Sequence, residues 1–162
     1  LRAVDPKIRT TFGEGGGSDD FRAQWKLDSA DSPIWPELAT ILSHGGTFGG
    51  AGESKSFWAP YVFSAWPEEK DAFTHVAALG PGVAIRERGS EDAPVIATVD
   101  WGILELVLGQ GWSPEDPWYQ VRLPDGRAGW VDASQVRMPL DWRAGFVKKD
   151  GEWRMNILVA GD

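Results

Sequence analysis

The sequence predicts a mainly β fold with a small α part, centred on a small antiparallel β-barrel from about Val83 to Arg137. Short apolar-rich runs separated by turn residues are typical of such barrels. These runs cover residues 83–85, 95–97, 103–108, 118–123 and 128–131. Pro124-Asp125-Gly126 predicts a tight hairpin between the last two runs, because Asp and Gly accept the positive φ angles of such turns. Asp150-Gly151 predicts a second hairpin further along the chain.

The helical part is expected in the first third of the chain, as short helices separated by glycine. Asp5-Pro6 has the cap-then-proline pattern of a helix start, and a second short helix is predicted from Asp20 to Leu27. The strongest pattern predicts a helix from Pro33 to Ser43, capped by Ser32 and ended by Gly45. Its apolar residues recur at helical spacing, so one face of this helix has to pack against another element.

The segment between this helix and the barrel is rich in glycine and then in aromatic residues. Residues 45–52 contain five glycines, which predicts an exposed loop. The run from Phe57 to Trp66 is expected to be extended, at an edge or irregular because of Pro60. This run is either a buried strand, which is the favoured interpretation, or an exposed interaction surface. Residues 76–79 are predicted to form the first firm strand.

Three regions are expected along the chain. Residues 1–78 form an N-terminal helical and extended region, residues 79–138 the barrel, and residues 139–162 a C-terminal β-hairpin. A two-residue turn at 150–151 would set three pairs of residues opposite each other: Phe146 and Met155, Ala144 and Ile157, Trp142 and Val159. One face of this hairpin is apolar, so we expect it to dock on the N-terminal region, with both flanks enclosing the barrel.

Composition excludes several classes of function. The 162 residues include 24 acidic and 16 basic side chains, a net charge of -8, and no stripe of Lys and Arg that could follow a nucleic acid. The chain has no Cys, which removes disulfides, thiolate nucleophiles and Cys-ligated zinc. No apolar run approaches the roughly 20 residues of a membrane-spanning helix. Ten Trp and seven Phe residues supply material for a large core.

Four pieces of the barrel segment carry a family resemblance. They are Val83-Ala84-Ile85-Arg86, Ala93-Pro94-Val95-Ile96, Trp118-Tyr119-Gln120-Val121 and Leu123-Pro124-Asp125-Gly126-Arg127-Ala128-Gly129-Trp130-Val131. Together they resemble successive strands and turns of bacterial SH3 (SH3b) domains, over about 55 of the 162 residues. Gly89-Ser90 stands where Pro-Ser is commoner, and the loop over 109–117 is long. Both flanks resemble sequences that accompany such barrels in bacterial proteins of uncharacterised function.

The resemblance implies a non-catalytic binding or scaffold protein without a cofactor. Its expected partner is a peptide, a cell-wall glycopeptide from peptidoglycan, or a protein. The candidate aromatic groove is made of Trp101, Trp112, Trp118, Tyr119, Arg86 and Asp100. Burial of the aromatic residues against the flanks is the competing interpretation, and an ion pair with a nearby carboxylate competes for Arg86. A periplasmic or other extracytoplasmic location is expected, although the sequence itself contains no export signal.

Two other classes of function stay open. One is a hydrolase of the cell envelope that uses carboxylates or His44 in a cleft between flank and barrel. The other is a structural interaction protein whose groove is filled by its own termini. We expect no enzyme, because His44 is better explained as the end of a helix and His75 lacks the spaced partner of a metal site. No G-x-S-x-G nucleophile motif is present either.

Overall fold

The chain folds into two compact units in the computed structural model, which describes residues 2–13, 15–52, 55–109 and 112–161. The first unit comprises Leu1–Trp66 with Leu140–Asp162, and the second is Pro67–Pro139. Strand residues outnumber helical ones over the described residues, so the prediction of a mainly β fold with a small α part is confirmed.

Twelve strands and three α-helices are found in the described residues. The strands are β1 (Val4–Arg9), β2 (Thr47–Gly49), β3 (Ser56–Ala59), β4 (His75–Ala78), β5 (Val83–Arg86), β6 (Val95–Val99), β7 (Ile103–Leu106), β8 (Trp118–Arg122), β9 (Ala128–Asp132), β10 (Val136–Arg137), β11 (Arg143–Lys149) and β12 (Glu152–Val159). The helices are α1 (Ser18–Gln24), α2 (Ile34–Ser43) and α3 (Tyr61–Ser64), and a 3-10 turn covers Ala133–Gln135. None of the helices among these residues is long and apolar enough to cross a membrane.

The first unit is a five-stranded sheet with helices packed on it. The strands lie in the order β1-β12-β11-β3-β2, and β1 is parallel to β12 while the other neighbours are antiparallel. Phe21 of α1 and Ile41 of α2 are fully buried and join a core with Ile8 of β1 and Leu158 of β12. Burial of these side chains holds the short helices in place, because isolated helices of this length are marginal in water.

The helix predicted at Asp5-Pro6 is wrong, since this segment forms β1. The Asp5 carboxylate accepts a hydrogen bond from the Lys7 N–H at 2.9 Å, which is a local turn rather than a helix cap. The same carboxylate accepts a hydrogen bond from Lys149 at 2.5 Å. Parallel pairing with β12, which sets Val4 opposite Met155, thus overrides the local capping signal.

The predicted helix from Pro33 to Ser43 is confirmed as α2, with Pro33 at its N-cap. The Ser32 hydroxyl donates to the Trp25 carbonyl at 2.5 Å and lies 3.5 Å from the Ile34 N–H, which is long for a cap. Gly45 follows with φ of 62°, the left-handed conformation expected at a helix end. The second predicted helix is found as α1, which begins and ends earlier than expected.

The glycine and aromatic segment is more regular than predicted. Residues 47–49 are exposed, as expected, but they form β2, which pairs with β3 and is not an irregular loop. Gly46 makes this possible, because a Cβ there would lie 2.0 Å from the Trp58 carbonyl oxygen. The predicted extended run from Phe57 ends at Ala59, where a cis Ala59-Pro60 bond leads into α3.

The C-terminal hairpin forms at Asp150-Gly151, but only part of the predicted register is correct. Phe146 lies opposite Met155, as predicted. A register shift at the next position then places Ala144 opposite Leu158 rather than Ile157. The shift corresponds to one extra residue in β12, which is a β-bulge, and a pattern of alternating residues cannot reveal it.

The second unit is a seven-stranded antiparallel sheet in the order β10-β4-β7-β8-β9-β5-β6. Its two ends, β10 and β6, are not paired with each other in the described residues, so the expected closed barrel is not found. The predicted end of the N-terminal region at residue 78 also differs from the structure. Residues 75–78 form β4, which pairs with β7 and β10 inside this sheet.

The sheet of the second unit has one continuous core. Its fully buried side chains include Val76, Ile85, Val121 and Val131, which come from four different strands. Alternate residues along β5 and β8 point into this core, so their neighbours lie on the other face. That alternation decides which of the predicted groove residues can contact a ligand.

Candidate functional site

Two of the six predicted groove residues lie in the turn between β6 and β7. The Asp100 carboxylate accepts a hydrogen bond from the Gly82 N–H at 2.6 Å, and the Trp101 N–H donates to the Gly80 carbonyl at 3.0 Å. Trp101 has φ of 53° and a side chain that is 59 % exposed. Asp100 therefore stabilises a turn beside the start of β5, where Val83 pairs with Val99.

Arg86 and Trp118 lie together near the other end of β5. Val83 and Arg86 are three positions apart, which corresponds to about 10 Å along a strand. Both side chains line one cavity of about 380 Å³, which we call the Trp118 pocket. Its complete lining is Ala84, Arg86, Glu91, Asp92, Trp118, Asp132 and Gln135. The structure thus brings together only two of the six predicted groove residues in this pocket.

Tyr119 and Trp112 pack into the core of the second unit instead. Tyr119 is buried, and its hydroxyl donates a 2.6 Å hydrogen bond to the Pro114 carbonyl. The Trp112 ring lies 6.1 Å from the Tyr119 ring, and its buried Nε1 has no hydrogen-bond partner in the described part of the chain. These two aromatic residues hold the long loop before β8 against the sheet rather than lining the Trp118 pocket.

Strand alternation and register position the walls of the Trp118 pocket. Ala84 and Arg86 are two residues apart on β5, so both lie on the face away from the core, as does Trp118 on β8. Asp132 pairs directly with Trp118 across β8 and β9. Sequence analysis missed Asp132, and the signal that could have found it is this cross-strand register on either side of the Asp125-Gly126 turn.

Gly89 lets the turn between β5 and β6 approach the pocket closely. A Cβ at this position would lie 3.0 Å from Trp118 Cβ, 3.1 Å from Trp118 Cγ and 3.2 Å from Trp130 Cε3. The same turn carries Glu91 and Asp92. Glycine therefore lets the turn pass close to the two tryptophan side chains, and this approach brings two carboxylates to the pocket.

The charges of the pocket have both signs. The Arg86 guanidinium uses one N–H group to donate a 2.7 Å hydrogen bond to the Ala93 carbonyl, which fixes the side chain and leaves other donors for a ligand. Asp132 Oδ1 accepts hydrogen bonds from the Ser134 N–H at 2.8 Å and the Ser134 hydroxyl at 2.7 Å. With Glu91 and Asp92, the pocket presents three carboxylates and one guanidinium.

The groups considered for catalysis or metal binding do not converge in the described residues. No cluster of three or more His, Asp and Glu side chains with the geometry of a metal site is found there. His44 is the C-cap residue that follows α2 in the first unit, and His75 begins β4 in the second. His75 Nδ1 lies 3.0 Å from the Asp71 carbonyl oxygen and from the Thr74 hydroxyl, so its ring is part of a local turn.

Comparisons of this chain with known proteins do not assign it to a family. No family model, curated protein or solved structure matches this chain. Function therefore has to be inferred from the side chains, charges and shape of its cavities.

Proposed function

We propose that the second unit is a non-catalytic, SH3-like binding module that recognises a peptide or cell-wall glycopeptide in the Trp118 pocket. One observation carries the proposal: an indole, a guanidinium and three carboxylates surround one cavity of about 380 Å³. The volume lies within the roughly 300–1,000 Å³ of typical ligand pockets, and the lining is more polar than in most of them.

The charges of the pocket favour a zwitterionic ligand. Arg86 has free N–H donors and can bind a carboxylate. Glu91, Asp92 and Asp132 can bind an ammonium group, and together they make the pocket net negative. The half-buried Trp118 ring offers an apolar surface to an aliphatic side chain or to the face of a sugar. Peptides that cross-link bacterial cell walls carry amino and carboxyl groups within a few atoms of each other, which fits this arrangement.

The strand order supports the SH3-like part of the proposal. Three consecutive strands, β7, β8 and β9, form an antiparallel meander, and the β5–β6 hairpin continues the sheet from β9. Gly129, which belongs to the Gly-Trp-Val element of the resemblance, lies close against the paired strand β5, since a Cβ there would lie 2.5 Å from Ile85 Cγ2. An extracytoplasmic location and function without a cofactor are parts of the same proposal.

Calorimetric titration of the whole chain with a soluble disaccharide-peptide from peptidoglycan tests this function. We expect saturable binding, weakened by about thirtyfold or more in Trp118→Ala, because a central aromatic anchor contributes roughly 2 kcal/mol or more. Trp118→Phe keeps a ring against Gly89 and should retain part of the affinity. Blocking the ligand's amine by acetylation, or its carboxylate by amidation, should each weaken binding.

Trp101→Ala is the matched control, because it removes an exposed indole from the same unit but outside the pocket. Circular dichroism checks that each variant is folded. Equal losses in Trp101→Ala and Trp118→Ala, or no binding by the folded wild type, would overturn the assignment of the pocket. Release of a cleaved product during the titration would favour the cell-envelope hydrolase instead.

A further inference from the structure

The first unit contains an apolar trough that the proposed function does not use. Two cavities, of about 440 and 260 Å³, share Leu42 and Phe146 as common walls. Buried Phe21 and Met155 contribute to the lining of the larger cavity, and Phe48 and Trp153 help to line the smaller one. We call these two adjacent cavities the apolar trough.

The trough is elongated. Ile34, Leu38 and Leu42 recur every fourth residue of α2, and all three line the larger cavity. Eight residues of α-helix span about 12 Å, so this wall alone has that length. Leu42 also lines the smaller cavity, whose lining includes Phe48, so the trough extends beyond this wall of α2. A long and narrow ligand fits this shape better than a compact ring system.

Large apolar side chains along the trough remain in contact with water. Trp35 is 61 % exposed, Leu42 45 % and Phe48 71 %. Exposed apolar surface of this extent is unfavourable in water and marks binding sites. A ligand that covers these side chains would remove them from water.

Charged groups line the larger cavity but not the smaller one. They are Arg2, Arg22 and Asp28. Arg22 Nε donates to both carboxylate oxygens of Asp28, at 2.9 and 3.1 Å, so these two charges neutralise each other. Arg2 has no ion pair or hydrogen bond with a side chain over the described ranges, and it is exposed. One guanidinium is thus available beside an apolar trough, in a chain whose net charge is -8.

We propose that the apolar trough binds a free single-chain amphiphile with a carboxylate head, such as a fatty acid. The chain lies along α2, and the head group pairs with Arg2. A peptide fits less well, because its backbone N–H and C=O groups would lie against mainly apolar walls without hydrogen-bond partners. An alkyl chain has no such groups. The site is separate from the Trp118 pocket, so either proposal can fail without the other.

Titration calorimetry with dodecanoate below its micellar concentration, on the whole chain, tests the proposal. We expect saturable binding of one molecule and weaker binding of dodecanol and of dodecyltrimethylammonium. Each methylene removed from the carboxylate should weaken binding about fourfold, which corresponds to the usual free energy of burying one methylene. Arg2→Gln should bring the affinities for dodecanoate and dodecanol together.

Leu42→Lys is the blocking variant, because it places a charge where the two cavities meet and changes an exposed side chain. We expect it to weaken dodecanoate binding by on the order of tenfold or more, since a buried unpaired charge is strongly unfavourable. Val95→Lys is the matched control, because Val95 is a similarly exposed apolar residue in the second unit. It should leave binding unchanged.

Several outcomes would overturn the proposal. Equal binding of the carboxylate, the alcohol and the ammonium amphiphile would remove the role of Arg2. Binding only above the micellar concentration, or to anionic vesicles with the same sensitivity to Leu42→Lys, would identify a membrane surface as the occupant. A dimer in sedimentation that Leu42→Lys dissociates would identify a second copy of this chain.

Discussion

Replacing Gly129 of β9 by Ala should destabilise the second unit by overpacking its core. An added Cβ would lie 2.5 Å from Ile85 Cγ2, 3.1 Å from Ile96 Cδ1 and 3.2 Å from the Arg86 carbonyl oxygen. Carbon atoms in contact are normally about 3.5–4.0 Å apart, so Ile85 or the strand must move by about 1 Å. Ile85 is fully buried and cannot turn towards solvent.

The expected change in the free energy of unfolding is a loss of about 1–2 kcal/mol. Forcing extra methyl groups into a packed core typically destabilises by about 1–3 kcal/mol. Restricting the unfolded chain at a former glycine opposes this by about 0.4–1 kcal/mol. Gly80→Ala is the control in the same unit, because no atom lies within 4 Å of a Cβ there and the backbone is not left-handed. It should be neutral or slightly stabilising.

Urea unfolding followed by tryptophan fluorescence measures the effect. We expect the midpoint of the second unit's transition to fall by on the order of 0.5–1 M for Gly129→Ala. Ile85→Ala is also destabilising, by about 2–5 kcal/mol, but it removes the methyl group that clashes. The Gly129→Ala penalty should therefore shrink in the Ile85→Ala background. A penalty equal to that of Gly80→Ala, or unchanged in that background, would refute the close contact.

Three variants in the first unit, and a fourth at an exposed position of the second, give the remaining predictions. The hydrogen bond from Lys149 lowers the pKa of Asp5, so this carboxylate stabilises the fold above its unfolded pKa and loses that effect as pH falls through its folded pKa. Asp5→Asn should therefore lower the free energy of unfolding by about 1–3 kcal/mol at neutral pH and by less in acid, and a pH-independent difference in urea titrations would contradict this. Gly151→Ala, at φ of 82°, should lower it by about 1–2 kcal/mol, and an unchanged thermal midpoint would argue against the left-handed turn. Leu158→Ala in the core should lower it by about 2–5 kcal/mol and exposed Leu108→Ala by under about 1 kcal/mol, so equal effects in urea would contradict the burial.

Local signals predicted the elements whose geometry is decided locally. Helix α2 and the turn at Asp125-Gly126 follow from side-chain spacing and from residues that tolerate positive φ. Strand β1 could not be predicted in this way. The cap-like Asp5 forms its decisive ion pair with Lys149, which is 144 positions away in the sequence. Long-range pairing of this kind leaves no trace in a window of neighbouring residues.

The candidate site was only partly accessible for the same reason. Alternation along β8 indicates that Trp118 and Tyr119 face opposite sides, and the structure places Tyr119 in the core. The pairing register of β5 and β6 sets Val99 opposite Val83, at the start of β5. Trp101, which follows Val99, therefore lies near that end, whereas Arg86 lies at the other end of β5. The carboxylate opposite Trp118, that of Asp132, becomes visible only once β8 and β9 are aligned.

The first unit is built from two segments of the chain that are separated by the whole second unit, and this constrains how the protein can fold as it is synthesised. Strand β3 needs β11 as its neighbour, and β1 needs β12, so the N-terminal segment has to wait until residues after 140 have left the ribosome. Residues 67–139 contain all seven strands of their own sheet and can complete it earlier. During that interval the aromatic strand β3 can pair with β2 but lacks β11, so a ribosome stalled before residue 140 would display one edge of β3 to chaperones and proteases.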